Sequence, residues 1–169
     1  PWLGTFHSLC DRLLRIEGLE IGIDPHFNIM TTTDQWLFIK SHLFDFNLSY
    51  YRPLGNPTKF IISIIHFFSR LQDEVIRPEE FKKFSQEKKD TAHNQEEIIE
   101  AQRLMELADT FTVYTQLKHQ ESLYDFGDLI NLTLQLFKTR PNIRQKYQQQ
   151  FQHVLVDEFQ DTNIAQYEL

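Results

Sequence analysis

Asp157 and Glu158 follow the apolar run Val154–Val156 directly, in the stretch VLVDEFQDTN that ends at Asn163. Such a run predicts a buried strand, and open α/β folds bind ligands at the carboxyl ends of their strands. A carboxylate there can hold Mg²⁺ against nucleotide phosphates, and a neighbouring carboxylate can orient and deprotonate a water. Asp157 and Glu158 fit these two roles in that order. The alternative is that both only favour the next helix, since acidic side chains stabilise helix N-termini.

The elements around this pair are a predicted strand, His153–Val156, and a predicted helix from Thr162 to Leu169 with Thr162 or Asp161 near its cap. One strand cannot form a sheet, so we expect its partners to lie outside this sequence. The chain also begins with Pro1 rather than Met and stops in mid-pattern. These features predict a piece of a longer protein.

Most of the remaining chain carries apolar residues at spacings of three and four, which predicts helices. The predicted helices cover about 5–16, 35–44, 58–75, 79–84, 95–118 and 126–138, with another starting at Pro141. Phe27–Met30 is predicted to be extended. Ser85–Glu97 is polar without a period, which predicts an exposed, mobile connector. The expected fold is mainly α, a helical bundle flanked by incomplete pieces of an α/β domain.

Composition narrows the class of protein. Hydrophobic residues make up 41% and aromatic residues 14%, enough for a packed core. A net charge of −7 argues against a uniformly basic nucleic-acid coat, although a local binding groove stays open. The single cysteine, Cys10, excludes an intramolecular disulfide framework and indicates a reducing compartment, which we take to be the cytoplasm. No apolar run approaches the ~20 residues of a membrane span, so no membrane partner is expected.

Three motifs in a fixed order carry a family resemblance. GTFHSLCDRLLR covers Gly4–Arg15, YDFGDLI covers Tyr124–Ile130, and VDEFQDTN ends at Asn163. Together they resemble the TFHS, DFxDL and Walker B elements of superfamily 1A DNA helicases of the UvrD, Rep and PcrA group. The resemblance implies a RecA-like α/β motor domain interrupted by a helical insertion. Residues 1–20 and 120–169 would then be pieces of the motor, and 21–119 the insertion subdomain.

The same resemblance implies an ATP-dependent DNA helicase that moves 3′-to-5′ along single-stranded DNA, separates duplexes and serves processes such as DNA repair. Its partners would be ATP, single-stranded DNA and single-/double-strand junctions. ATP and Mg²⁺ would be its cofactors. Asp157 would hold the metal and Glu158 would be the general base. Gln160 and Asp161 would couple the ATP site to neighbouring motifs, with plain helix capping open for Asp161.

The first motif is expected to face single-stranded DNA through Thr5, Phe6, His7 and Ser8. Hydroxyls and helix N-terminal amides bind phosphate, and an aromatic ring can stack on a base. For Phe6 the alternative is a core position, because it continues the apolar stripe of Leu9 and Leu13.

In the second motif the resemblance implies that Asp125, Phe126 and Asp128 lie near the DNA. Carboxylates repel phosphate, so Asp125 is expected to cap the helix at Phe126, and Asp128 to orient a basic or DNA-contacting group. The sequence alone indicates a cap plus a core, with Phe126 and Leu129 buried. A basic cluster follows and is either a DNA contact or a solvated helix face: Lys138, Arg140, Arg144 and Lys146.

A phosphate-binding loop is missing from this sequence. That loop needs G-x-x-x-x-G-K-[ST], and none of the five glycines precedes a lysine. The chain alone is therefore expected not to hydrolyse ATP. Other hypotheses remain open: the helicase subunit of a recombinational helicase–nuclease, a helical interaction module with an inactive motor, and a metal-dependent hydrolase built on Asp157, Glu158 and Asp161.

Overall fold

The computed structural model describes residues 2–169 and is mainly α, which confirms the predicted class. Its helices are α1 Phe6–Glu17, α2 Thr32–Ser41, α3 Ile61–Asp73, α4 Pro78–Asp90, α5 Gln95–Gln120, α6 Phe126–Thr139, α7 Pro141–Gln150 and α8 Ile164–Glu168. Two short strands, β1 Asn28–Ile29 and β2 Leu123–Tyr124, pair in parallel, with Asn28 opposite Leu123. None of the described helices is both long and apolar enough to cross a bilayer.

The chain forms two compact units. The first unit contains residues 1–29, 72–75 and 122–169, and the second contains 30–71 and 76–121. The last two residues of α3 therefore group with the first unit, although the rest of that helix belongs to the second.

The core of the first unit lies between α1 and α6. Cys10 and Leu14 of α1 pack with Leu129 and Ile130 of α6, and all four are buried. Tyr124 of β2 joins this cluster and meets the ring of Phe27 edge-to-face at 5.3 Å. A second apolar cluster in this unit joins α1 to α6 and α7 through Leu13, Leu136, Ile143 and Tyr147. These contacts fix the start of α1 relative to the start of α6.

The second unit is a helical bundle with an aromatic centre. Phe68 of α3 lies 4.7 Å from Phe111 and 5.5 Å from Tyr114, both on α5. All three side chains are buried, and such ring contacts stabilise a core beyond the area that they bury. A carboxylate of α5, Glu106, accepts hydrogen bonds from the three consecutive backbone amides of Ser49–Tyr51 and so anchors the loop before α3.

The prediction of a mobile connector at Ser85–Glu97 is wrong. Helix α4 continues to Asp90, and α5 already begins at Gln95. Ser85 is fully buried, and its hydroxyl donates to the Phe81 carbonyl at 2.9 Å. The polar stretch continues α4 because Ser85, its one buried residue, packs that helix against α5, and a single position leaves no period in the sequence. Asn94 caps α5 by accepting from the Glu97 amide at 2.9 Å.

The predicted buried strand at His153–Val156 is also wrong. This segment has no strand pairing, and the side chains of Val154 and Leu155 are 73% and 97% exposed. A strand needs a neighbouring backbone for its hydrogen bonds. Within residues 2–169, the two described strands pair only with each other. The helix that follows starts later than predicted, with Asn163 as its cap in place of Thr162 or Asp161.

Candidate functional site

The head of α1 is held by its own hydroxyl groups. Thr5 is the N-cap, and its Oγ1 accepts from the Ser8 amide at 3.2 Å. The Ser8 hydroxyl donates back to the Thr5 carbonyl at 2.8 Å. A Cβ on Gly4 would collide with the Ser8 hydroxyl, so a larger residue there would require that hydroxyl to rotate away from its bond with Thr5. Thr5 and Ser8 are both exposed, so the head of α1 is accessible to solvent.

Phe6 and His7 are both half-buried. Phe6 packs against the core of the first unit, as the core alternative for it expected. The ring of His7 meets that of Phe126 edge-to-face at 5.4 Å, so the first and second motifs touch here. Burial lowers the pKa of His7, and the negative charge of Asp73 opposes that shift.

The second motif forms a reciprocal cap at the start of α6. Asp125 is the N-cap and accepts from the Asp128 amide at 3.0 Å, while Asp128 accepts from the Asp125 amide at 2.9 Å. The predicted capping role of Asp125 is thereby confirmed. Both carboxylates are buried, at 3% and 7% exposure, and both accept from Nε2 of Gln72 at 2.9 Å. Gln72 is one partner of Asp128, and the role of Asp128 in orienting a basic or DNA-contacting group stays a prediction.

Phe126 departs from the core prediction made for this motif. Its side chain is 46% exposed, whereas Leu129 is buried as predicted. Phe126 is the first residue of α6, and its exposed ring lies against His7. An exposed ring at that place is available for stacking.

The acidic pair of the third motif is exposed and sits on an unusual backbone. Oδ1 of Asp157 accepts from the Glu158 amide at 3.1 Å. Glu158 has φ +50° and ψ +42°, the left-handed region, which costs a non-glycine residue about 1–2 kcal/mol. Such conformations cluster at functional sites. Gln160 donates to the Glu158 carboxylate, and the Asp161 amide donates to the Glu158 carbonyl at 2.9 Å.

A groove of about 810 Å³ in the first unit brings the first and third motifs together. Its lining includes Thr5, His7 and Arg12 on one side and Val156 and Asp157 on another. Helix N-terminal amides, hydroxyls and a guanidinium bind anionic oxygen, and a carboxylate binds a cation. The groove therefore combines groups for an anionic chain and for a metal-bound phosphate.

Comparison with known proteins bears on this arrangement. The sequence profile of the UvrD/REP helicase N-terminal domain matches residues 1–169. The chain belongs to this family. It is 36% identical over 169 residues to the ATP-dependent DNA helicase PcrA of Bacillus subtilis (strain 168), covering 99% of this chain and 20% of that protein.

Other UvrD/REP relatives give the same result. PcrA of Staphylococcus epidermidis (strain ATCC 12228) is 38% identical over 169 residues, covering 99% of this chain and 20% of that protein. DNA helicase II of Haemophilus influenzae is 33% identical over 166 residues, covering 98% of this chain and 20% of that protein. The chain thus spans about a fifth of the length of the curated relatives that it matches.

The UvrD/REP chain offers two carboxylates, Asp157 and Glu158, as part of a Mg²⁺ ligand shell. Within residues 2–169 no three His, Cys, Asp or Glu side chains converge on one point. Mg²⁺ typically takes one or two carboxylates and completes its shell with water and substrate phosphates. The exposed carboxylates of Asp157 and Glu158 satisfy that requirement, whereas the metal-dependent hydrolase hypothesis needs a fuller ligand set.

The basic cluster of this UvrD/REP chain is largely engaged by acidic residues. Nε of Arg140 lies 3.3 Å from Glu20, and Nζ of Lys146 lies 2.6 Å from Glu17. Nζ of Lys138 lies 3.9 Å from Glu168. These pairs favour the solvated helix face over the DNA contact.

Sequence reasoning missed Gln72, Asp73 and Asn163. Nδ2 of Asn163 donates to Oδ1 of Asp73 at 2.5 Å, 90 residues away in sequence. Gln72 reaches partners 53 and 56 residues away. Asn163 lay in a quoted motif but without a role. Gln72 and Asp73 carry no local motif, and their long-range contacts leave no pattern in one sequence.

Proposed function

We propose that this chain is a segment of an ATP-dependent DNA helicase, in which ATP hydrolysis drives movement along single-stranded DNA and separates the duplex ahead. Family membership and the names of the relatives support this proposal. The observation that carries it is the shared groove of Thr5, His7 and Asp157, since a motor must bring a nucleotide site close to a DNA-binding edge. The lone buried cysteine suits a reducing compartment, so we place the activity in the cytoplasm.

The proposed division of the chain has residues 1–20 and 120–169 in the motor and 21–119 as the insertion subdomain. The grouping of residues 30–71 and 76–121 into one compact helical unit supports it.

At the nucleotide edge, Asp157 would hold Mg²⁺, which when bound neutralises charge on the phosphates. Glu158 would orient the attacking water and accept its proton. Gln160 donates to the Glu158 carboxylate and would hold it in place. Together with Asp161 it would couple the ATP site to the neighbouring motifs. The left-handed backbone conformation of Glu158 sets the direction in which its side chain leaves the chain.

At the DNA edge, the exposed hydroxyl groups of Thr5 and Ser8 at the head of α1 would bind a backbone phosphate. His7 and the exposed ring of Phe126 would contact a base. Asp125 and Asp128 are buried in the cap of α6, whose first residue is Phe126, and would hold that end of the helix in place.

Strand separation by the full-length protein tests the proposal. The substrates are a duplex with a 3′ single-stranded tail and the same duplex with a 5′ tail, each with ATP and Mg²⁺. We expect unwinding of the 3′-tailed duplex and loss of unwinding in Glu158→Gln, with Glu79→Gln, an exposed glutamate of α4, as the matched control. The isolated chain should unwind neither substrate because it lacks a phosphate-binding loop. A full-length protein that separates neither duplex, yet binds ATP and DNA, would overturn the proposal.

A further inference from the structure

Two consecutive residues at the end of α3, Gln72 and Asp73, link the three motifs. Gln72 is buried and donates to both aspartates of the second motif. Asp73 accepts from Asn163 of the third motif. The second motif in turn meets the first, where the ring of Phe126 lies 5.4 Å from that of His7. All these residues belong to the first unit. We call Gln72 and Asp73 the α3 clasp.

The Gln72 side chain packs closely over Gly127 of α6. Its Nε2 lies 2.9 Å from Oδ1 of Asp125 and from Oδ1 of Asp128. Its backbone carbonyl accepts from Nδ2 of Asn131 at 2.9 Å, one turn further along α6. Hydrogen bonds to charged groups are stronger than neutral ones, and buried ones hold geometry most firmly. Gln72 is thereby fixed to the first turn of α6 by its side chain and to the second turn by its backbone carbonyl.

The Asp73 contact holds the third motif. Asn163 uses its Oδ1 to cap α8 at the Gln166 amide, 2.8 Å away, and its Nδ2 to reach Asp73 at 2.5 Å. Asn163 is therefore oriented on both sides of its carboxamide. A shift of the Asp157–Asn163 segment would pull on Asp73 and on the adjacent Gln72, which holds the cap of α6. The first residue of α6, Phe126, meets the ring of His7 at the head of α1.

The backbone after the clasp is held in a conformation that its side chain disfavours. Val75 has φ +58°, a genuine outlier for a β-branched residue. Its side chain packs against the core of the first unit, and its amide donates to the Gln72 carbonyl at 3.0 Å. Such a conformation persists only where the surroundings over-determine it. The packing of Val75 and its hydrogen bond to Gln72 therefore stabilise the turn that follows the clasp.

We propose that Gln72 and Asp73 are positioning residues that hold the three motifs in one arrangement and couple DNA binding at the head of α1 to ATP hydrolysis beside Asp157. This inference rests on the proposed function. The clasp touches neither phosphate nor base; it acts through Asn163 and the α6 cap. Breaking it should uncouple the two sites before it impairs either one alone.

The test measures the ratio of ATP turnover with and without single-stranded DNA in the full-length protein. Asn163→Asp sets a second carboxylate against Asp73 while aspartate still caps α8 well. We expect this ratio to fall by about tenfold, within the usual range of coupling between sites. Adding Asp73→Asn restores one carboxylate facing one amide, so the double variant should return to within about threefold of wild type.

The controls separate positioning from folding. Glu79→Gln removes an exposed charge outside the clasp and should leave the ratio unchanged. Gln72→Leu keeps bulk but removes both donated hydrogen bonds, and should also lower the ratio if the protein's unfolding temperature stays near wild type. An Asn163→Asp ratio equal to wild type, or a double variant no better than Asn163→Asp alone, would overturn the inference. A wild-type protein with no DNA stimulation would instead overturn the proposed function, and this outcome is seen before any variant is compared.

Discussion

Gly127→Ala is a sharp test of the packing at the second motif. A Cβ on Gly127 would lie 2.5 Å from Oε1, 2.7 Å from Cδ and 2.8 Å from Cβ of Gln72. The contacts with Oε1 and Cδ could be relieved by rotating the Gln72 side chain. The contact with Cβ could not, because Cβ is fixed to the backbone. Rotation would also break the hydrogen bonds from Gln72 to Asp125 and Asp128.

The size of the effect follows from three opposing contributions. Alanine gains about 1 kcal/mol over glycine from helix propensity. Overpacking costs about 1–3 kcal/mol, and each lost hydrogen bond to a buried charged group costs about 1.5–3 kcal/mol. Partial relaxation prevents all the costs from adding in full. We therefore expect Gly127→Ala to lower the free energy of unfolding of the first unit by about 2–4 kcal/mol, against the sign that propensity alone predicts.

Urea titration, followed by tryptophan fluorescence, measures this change in the free energy of unfolding. The chain has two tryptophans, and Trp36→Phe leaves Trp2 as the reporter of the first unit. Trp2 stacks under Arg12 at 3.8 Å, so its emission should change when the unit unfolds. With a slope of about 2 kcal/mol per molar urea, the midpoint should fall by about 1–2 M. Gly55→Ala, where a Cβ meets nothing within 4 Å, is the control. An unchanged or raised midpoint for Gly127→Ala would refute the packing argument.

Three further predictions concern charge and burial. Lys146 lowers the pKa of Glu17 through a 2.6 Å hydrogen bond, so this stabilisation is present near neutral pH and lost as the pH falls through the lowered value. Glu17→Gln should destabilise the chain by about 1 kcal/mol near pH 7 and less near pH 3, by urea titration. Burial raises the pKa of Cys10 to about 11, so the native thiol should resist a thiol-reactive dye until urea unfolds the chain. Glu106→Ala frees the amides of Ser49–Tyr51, and chymotrypsin should then cleave this loop about tenfold faster, by mass spectrometry.

Much of the helical framework could be predicted because its signals are local. The cap at Thr5 and the apolar stripe after it define α1, and Asp125 capping α6 was expected from residue type and position alone. Local signals did not predict a helix where few of its side chains are buried. Helix α4 runs on through Ser85 because one fully buried hydroxyl position packs it against α5.

The parts that the sequence could not reveal depend on partners far along the chain. Val154–Val156 has strand composition, but a strand exists only where another backbone pairs with it, and none does within the described residues. Gln72 and Asp73 were unremarkable as a polar pair near a helix end. Their importance comes from partners 53 to 90 residues away, which no local periodicity encodes.

ATP hydrolysis by the full-length protein, with and without single-stranded DNA, tests the central claim most directly. Wild type and Glu158→Gln are compared for turnover, and a fluorescent ATP analogue reports binding in both. We expect strong DNA stimulation in wild type. In Glu158→Gln we expect turnover to fall by a factor of about 10²–10⁴ while nucleotide binding is retained. DNA-stimulated turnover that survives Glu158→Gln would contradict the role of this residue, and absence of stimulated turnover in wild type would contradict the motor itself.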